Sequence, residues 1–189
     1  MVDIETLDTR KSSVILQIGA AYFDRYTGEV GDKYSVNIDL KSSLASGFTV
    51  NADTIYWWMK QAEEARKSVF EGEAMHVFDA INDFNRFAEK AKFVWSHATF
   101  DFNIIYNHFE KLNIVPTFHY RTARDIRTLI DLADINFTEK KGRSGTRHTA
   151  LDDVLYQIEY CVIAFNTIKG KIENSKPKKD SSGLEIKRV

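Results

Sequence analysis

Asp3 and Glu5 stand two residues apart in Asp3-Ile4-Glu5-Thr6, a run that reads as the start of a β-strand. Alternate side chains of a strand share a face, so the two carboxylates project together, within reach of one cation. Like charges buried side by side are costly. A hard divalent ion that takes carboxylate oxygens, Mg²⁺ or Mn²⁺, is the usual compensation, and two such ions need further carboxylates from elsewhere in the chain. Asp101 is one: it opens a helix soon after a short apolar strand ending at Ser96, where α/β proteins commonly place their sites. Asp153 is the other, in His148-Thr149-Ala150-Leu151-Asp152-Asp153. Thr149 with Asp152 three residues on has the form of a capping box with Asp for the usual Glu, which leaves Asp153 to turn towards the sheet. His148 lies just before that helix, on a polar loop containing Gly142 and Gly145. There an imidazole titrating near neutrality can approach a water, take its proton and withdraw.

The elements that must position these groups form an α/β pattern. Residues 14–23, VILQIGAAYF, read as a strong strand joined to the Asp3-Glu5 strand through the polar turn 8–13. Residues 24–31, DRYTGEVG, form a hairpin connection into a third strand at 33–38, giving an antiparallel meander. Only Met1 and Val2 precede Asp3, so the first strand is short and the native start is expected slightly upstream. From Asp53 the period turns helical through Ile55, Trp58, Met59 and Ala62, capped by Asp53 or Thr54. A helix at 74–91 buries Val77, Phe78, Ile81, Phe84 and Phe87, and a short strand at 92–96 precedes a helix at 100–112. Residues 118–126 form a loop or short strand leading into a helix at 126–133. The connection 136–147 is polar and expected to be mobile, and a final helix runs over 149–168. Residues 1–168 therefore make one domain, and 169–189 a basic tail without apolar periodicity that reads as disordered.

Composition narrows the chemistry. At 43% hydrophobic and 28% charged the 189 residues suit one globular domain. No apolar run approaches the length of a membrane helix and no basic region precedes an apolar core at the N-terminus, so the expected location is the cytoplasm, without membrane contact. The single Cys161 excludes an internal disulfide and a cysteine zinc cluster, which favours oxygen ligands. Net charge is −1, but the tail carries seven Lys or Arg against three acids, leaving the body at −5. Such a body holds nucleic acid only locally, where cations neutralise its carboxylates. No G-x-x-x-x-G-K-[ST] occurs, which excludes a P-loop enzyme.

D-x-E on a first strand before a meander, Asp after the fourth strand, and H-x-A-x-x-D opening the last helix together resemble the DEDDh family of 3′–5′ exonucleases, over roughly residues 1–168. The resemblance tightens at Thr54-Ile-Tyr-Trp-Trp-Met-Lys-Gln, Glu64-Ala-Arg-Lys, Arg124-Asp-Ile-Arg-Thr and Gly145-Thr-Arg-His-Thr-Ala-Leu-Asp-Asp. Those stretches look like the phage and prophage branch that includes a phage exodeoxyribonuclease, exonuclease VIII-like sequences and RNase AS. The resemblance implies a ribonuclease H-like fold, with a mixed five-stranded sheet of meander plus parallel strands flanked by helices. It implies two Mg²⁺ or Mn²⁺ ions, one held by Asp3 and Asp153, the other by Asp3 with Glu5 and Asp101, and His148 as general base. The implied reaction is hydrolysis from the 3′ end of single-stranded DNA or RNA, releasing nucleoside 5′-monophosphates.

By the same resemblance, Thr6 and Leu7 match a place that contacts the terminal nucleotide. Ser96-His97 departs from a Gly-Asn common in relatives, which puts His97 among the substrate contacts. Trp57 and Trp58 are about 100° apart on a helix, so one belongs to the core while the other can stack a base or line an interface. Arg124, Arg143 and Arg147 are candidates for phosphate contacts. Several relatives are homodimers, and the aromatic-rich segment 54–70 is the candidate interface. The rival readings are a catalytically silent nucleic-acid-binding or proofreading-type subunit on the same fold, and an endonuclease. The complete set of four acids and His148 argues against the first, and the H-x-A-x-x-D element against the second. The residues leave DNA against RNA open.

Overall fold

The computed structural model describes residues 1–135 and 145–174. Gly142 and Arg143 therefore lie outside the described residues, as does most of the basic tail. Strands β1 (Val2–Thr6), β2 (Ile15–Phe23) and β3 (Val30–Asn37) form the expected antiparallel meander, with Asp3 opposite Gly19 and Glu5 opposite Gln17. Helices α1 (Leu40–Ala45), α2 (Ala52–Met59), α3 (Glu63–Phe70) and α4 (Val77–Phe87) follow, then β4 (Val94–Ser96) and α5 (Asp101–Lys111). The chain continues through β5 (Ala123–Asp125) and α6 (Ile126–Ala133) to α7 (Ala150–Asn174). Strand β4 pairs in parallel with β5.

The pleat of β1 divides the core in two. Val2, Ile4, Ile18 and Ala20 face a cluster with Ile81 and Phe84 of α4 and Ile105 and Phe109 of α5. Met1 and Ala21 face the other side, where Val154, Ile158, Cys161 and Ala164 of α7 pack with Ile126 and Leu129 of α6. Asp3 and Glu5 share this second face by strand alternation, so the acidic pair looks towards the start of α7.

Two features bring that start close. Gly19 lies against it: a Cβ there would stand 2.3 Å from the Ala150 carbonyl carbon. Beside it the buried Gln17 accepts the Ala150 N–H at 2.7 Å and donates to Asn37 Oδ1 and to the Ser68 carbonyl. The amide thus ties β2, β3 and α3 to the first turn of α7.

Several elements depart from the expectations. The ladders form a three-stranded and a two-stranded sheet in place of one five-stranded sheet. Strand β4 packs beside β1, but it is only three residues long, and the buried Asp101 carboxylate faces the Ile4 N–H in the seam. The expected long helix from Asp53 is two, α2 and α3, broken at residues 60–62. Its cap is Asn51, whose side chain accepts the Asp53 N–H, rather than Asp53 or Thr54. Of the apolar stripe only Trp58 is buried; Met59 is 63% exposed and Ile55 is exposed too, because α2 is too short to keep one face down over two turns. Phe78 is likewise exposed on α4. Helix α7 continues past Ile168 to Asn174, with Lys171 Nζ donating to the Ala133 carbonyl, so residues 169–174 are helical rather than disordered. No described helix is long and apolar enough to cross a membrane.

Replacing Gly19 by Ala drives a methyl into the α7 backbone. Urea denaturation of Gly19→Ala is expected to show a loss of about 1–3 kcal/mol or more, with activity falling alongside it. An unchanged midpoint would mean that α7 does not depend on this approach.

Candidate active site

The four acids reach one region from three elements. Asp3 and Glu5 come from β1, Asp101 from the first position of α5, and Asp153 from the first turn of α7. Two groups result, each with one ligating atom per residue and all such atoms within 4.8 Å of one another. Asp3, His97 and Asp101 form the inner group; Glu5, His148 and Asp153 form the outer one. The sequence-predicted acids and His148 are thus brought together. Asp101 stands with Asp3 as the resemblance implied, while Asp153 is grouped with Glu5 and His148.

Burial gives the inner group its electrostatics. Asp101 is almost fully enclosed, and loss of water pushes its carboxyl up from 3.8 to about 7, against the opposing pull of the His97 and Ile4 N–H groups. The His97 N–H donates to Asp101 Oδ2 at 2.8 Å, and its ring Nδ1 lies 3.9 Å from the same oxygen. Burial, with the charge of Arg127, lowers the His97 imidazole to about 4. Gln157, one turn beyond Asp153, is buried and donates from Nε2 to Asp3 Oδ1 at 2.7 Å. Its Oε1 has no partner among the described residues. Burial, and next the charge of Asp3, raise the Tyr160 hydroxyl on the same helix.

His148 is held at the outer group by its backbone and by rings. Gly145, at φ 87°, packs so closely on Asp152 that a Cβ would lie 2.6 Å from its carboxyl carbon. Asp152 accepts the Thr146 N–H at 2.8 Å, so it keeps the local structural role expected of it, through a donor further upstream. His148 itself adopts φ 63° and donates its N–H to Asp153 Oδ2 at 3.1 Å. Its ring stands edge-on to Trp57, 4.8 Å between centroids, and further from Trp58, 6.2 Å.

The tryptophans divide as their helical offset requires. Trp58 is 2% exposed and donates from Nε1 to the Thr6 carbonyl, fixing the end of β1; Trp57 is 42% exposed. Both line a cavity of about 410 Å³ with Ile4, Glu5, Thr6 and Phe100, directly beside the outer group. A slightly larger cavity, about 450 Å³, touches Met1, Tyr22 and Phe93 and holds none of the five predicted catalytic residues. Thr6 therefore lines this cavity, whereas the Leu7 side chain belongs to the core. Arg147 is exposed next to His148.

Arg124 is engaged elsewhere, over the Phe93 ring and on the Arg121 and Ala123 carbonyls. The cation whose charge reaches His97 and Asp101 is the exposed Arg127, three residues on. Sequence reasoning missed it because the strand-to-helix switch after Asp125 redirects the side chains. It also missed Gln157, whose signal was the four-residue spacing from Asp153.

A family model described as the 3'-5' exoribonuclease Rv2179c-like domain matches residues 1–165. No curated protein matches the chain.

Because Asp101 holds a proton in the folded state that the unfolded chain releases, chelator-treated protein should lose stability as pH rises from about 4 to about 7. For this one group the slope approaches about 1.4 kcal/mol per pH unit, and Asp101→Asn should flatten it in denaturation curves taken across that range. Gln157→Leu strips the donor from Asp3 and should weaken divalent-ion binding by roughly 10-fold to 100-fold in calorimetry with the fold retained. Wild-type affinity in that variant would deny Gln157 its hold on Asp3.

Proposed function

The chain belongs to the Rv2179c-like 3'-5' exoribonuclease domain family, and from that premise we propose that it is a DEDDh-type, two-metal-ion exonuclease on a ribonuclease H-like fold. It removes nucleotides from the 3′ end of single-stranded RNA or DNA as nucleoside 5′-monophosphates. The observation that carries the reading is the convergence of Asp3, Glu5, Asp101, Asp153 and two imidazoles from opposite ends of the chain into two adjoining groups.

The residues fit a pair of divalent cations. The donors are carboxylates with one imidazole in each group, and the buried Gln157 Oε1 beside Asp3 lacks a partner among the described residues. Asp3 and Asp101 would hold one ion, and Glu5 and Asp153 the other. When bound, Mg²⁺ or Mn²⁺ neutralises the clustered carboxylates and stabilises charge on the attacking and leaving oxygens.

The remaining chemistry belongs to the chain. His148 takes the proton of the attacking water, with its backbone set by Asp153 and its ring oriented by Trp57. The terminal nucleotide occupies the cavity between Thr6 and Trp57, where the exposed indole offers a stacking face. Arg127 and Arg147 supply positive charge to the phosphates, offsetting the acidic body locally.

Single-stranded RNA and DNA labelled at the 5′ end should give a ladder shortening from the 3′ side with Mg²⁺ or Mn²⁺, and 3′-labelled strands should release labelled mononucleotide first. Asp3→Asn and Asp153→Asn should abolish turnover while folding normally. His148→Ala should cost about 10² to 10⁴ in rate with ion binding kept. Internal cleavage products, or full activity in either Asp variant, would reject the assignment.

A further inference from the structure

We propose that His97 is a nitrogen ligand to the ion held by Asp3 and Asp101, and that this makes the inner half of the site select Mn²⁺ over Mg²⁺. The inference rests on the two-ion reading above and adds to it a ligand and a metal preference.

Three observations converge on it. First, an imidazole nitrogen of His97 and one oxygen each of Asp3 and Asp101 lie within 4.8 Å of one another, a spread that a single cation can draw together. Second, His97 is held beside Asp101 by its backbone. Its N–H holds Asp101 Oδ2 at 2.8 Å, and its ring folds back so that Nδ1 lies 3.9 Å from that oxygen. A histidine whose job was to reach a nucleotide would have no need to lie against the most buried carboxylate of the cluster. Third, Gln157 is 4% exposed, spends its Nε2 donor on Asp3 Oδ1, and leaves Oε1 without a partner among the described residues. A buried acceptor left over beside Asp3 marks a place for a donor from outside the chain, such as water accompanying an ion.

The two imidazoles are set differently. His148 stands edge-on to two indoles beside the open cavity, a setting for moving protons to and from substrate. His97 sits on the inner side with Asp101 and Gln157's partner Asp3. Mg²⁺ demands oxygen ligands in near-ideal octahedral order, whereas Mn²⁺ shares that taste for carboxylate and lies on the series of transition ions that accept imidazole. One nitrogen in the donor set therefore shifts the balance towards Mn²⁺.

The experiment uses the full chain with one equivalent of Mn²⁺ and pulsed electron paramagnetic resonance, which detects a directly bound ¹⁴N. Wild type and His148→Ala should show the imidazole nitrogen, and His97→Asn should lose it. In calorimetry, His97→Asn should weaken Mn²⁺ binding by about tenfold or more and Mg²⁺ binding by less than about threefold. No ¹⁴N coupling in wild type would overturn the proposal without reliance on any variant. So would coupling that survives in His97→Asn and vanishes in His148→Ala. Wild type that trims 3′ ends with Mn²⁺ but lacks the nitrogen signal loses this inference alone. Wild type that neither binds Mn²⁺ nor degrades either polymer loses the exonuclease reading as well.

Discussion

The close approach of the α7 N-terminus to β2 at Gly19 is the contact on which the rest of the molecule depends. Only a residue without a Cβ lets the Ala150 peptide reach the strand, and Gln17 then secures it through the Ala150 N–H. The consequence is felt one turn on, where Asp153 and Gln157 face the Asp3-Glu5 side of β1. The placement of the acids thus rests on a packing contact, directly across from Asp3, that itself uses no carboxylate.

That contact has an electrostatic cost. It encloses carboxylates from three elements, and Asp101, the most enclosed, is left with a carboxyl shifted towards its neutral form. The protein offsets part of this with fixed donors: the His97 N–H on Asp101, Gln157 on Asp3, and the His148 N–H on Asp153. On Asp101 the Ile4 N–H joins that of His97, so the most buried carboxylate meets donors from two segments. Arg127, whose charge reaches His97 and Asp101, stays exposed at the edge of this cluster.

Much of this was legible in the sequence, and the reason is periodicity. The meander, α6 and the D-x-E strand follow from two-residue and four-residue spacings that local chemistry enforces, and α6 spans the expected residues 126–133. The split of Trp57 from Trp58 followed from helical offset alone. What could not be read were consequences of three-dimensional proximity. The break between α2 and α3, the exposure of Met59, and the separation of β4–β5 from the meander depend on how far each short element reaches before its neighbours turn it. Arg124, one of three arginines expected at phosphates, lies over the ring of Phe93, a contact that no local spacing announces. Gln157 carried no catalytic signature by type, and its role emerges only because α7 lies over β1.

The central claim is that side chains between residues 3 and 153 form one site for two cations. Anomalous diffraction from crystals soaked in Mn²⁺ tests it most directly. Two peaks are expected, one among Asp3, His97 and Asp101 and one among Glu5, His148 and Asp153. Peaks confined to surface carboxylates, with neither group occupied, would contradict it.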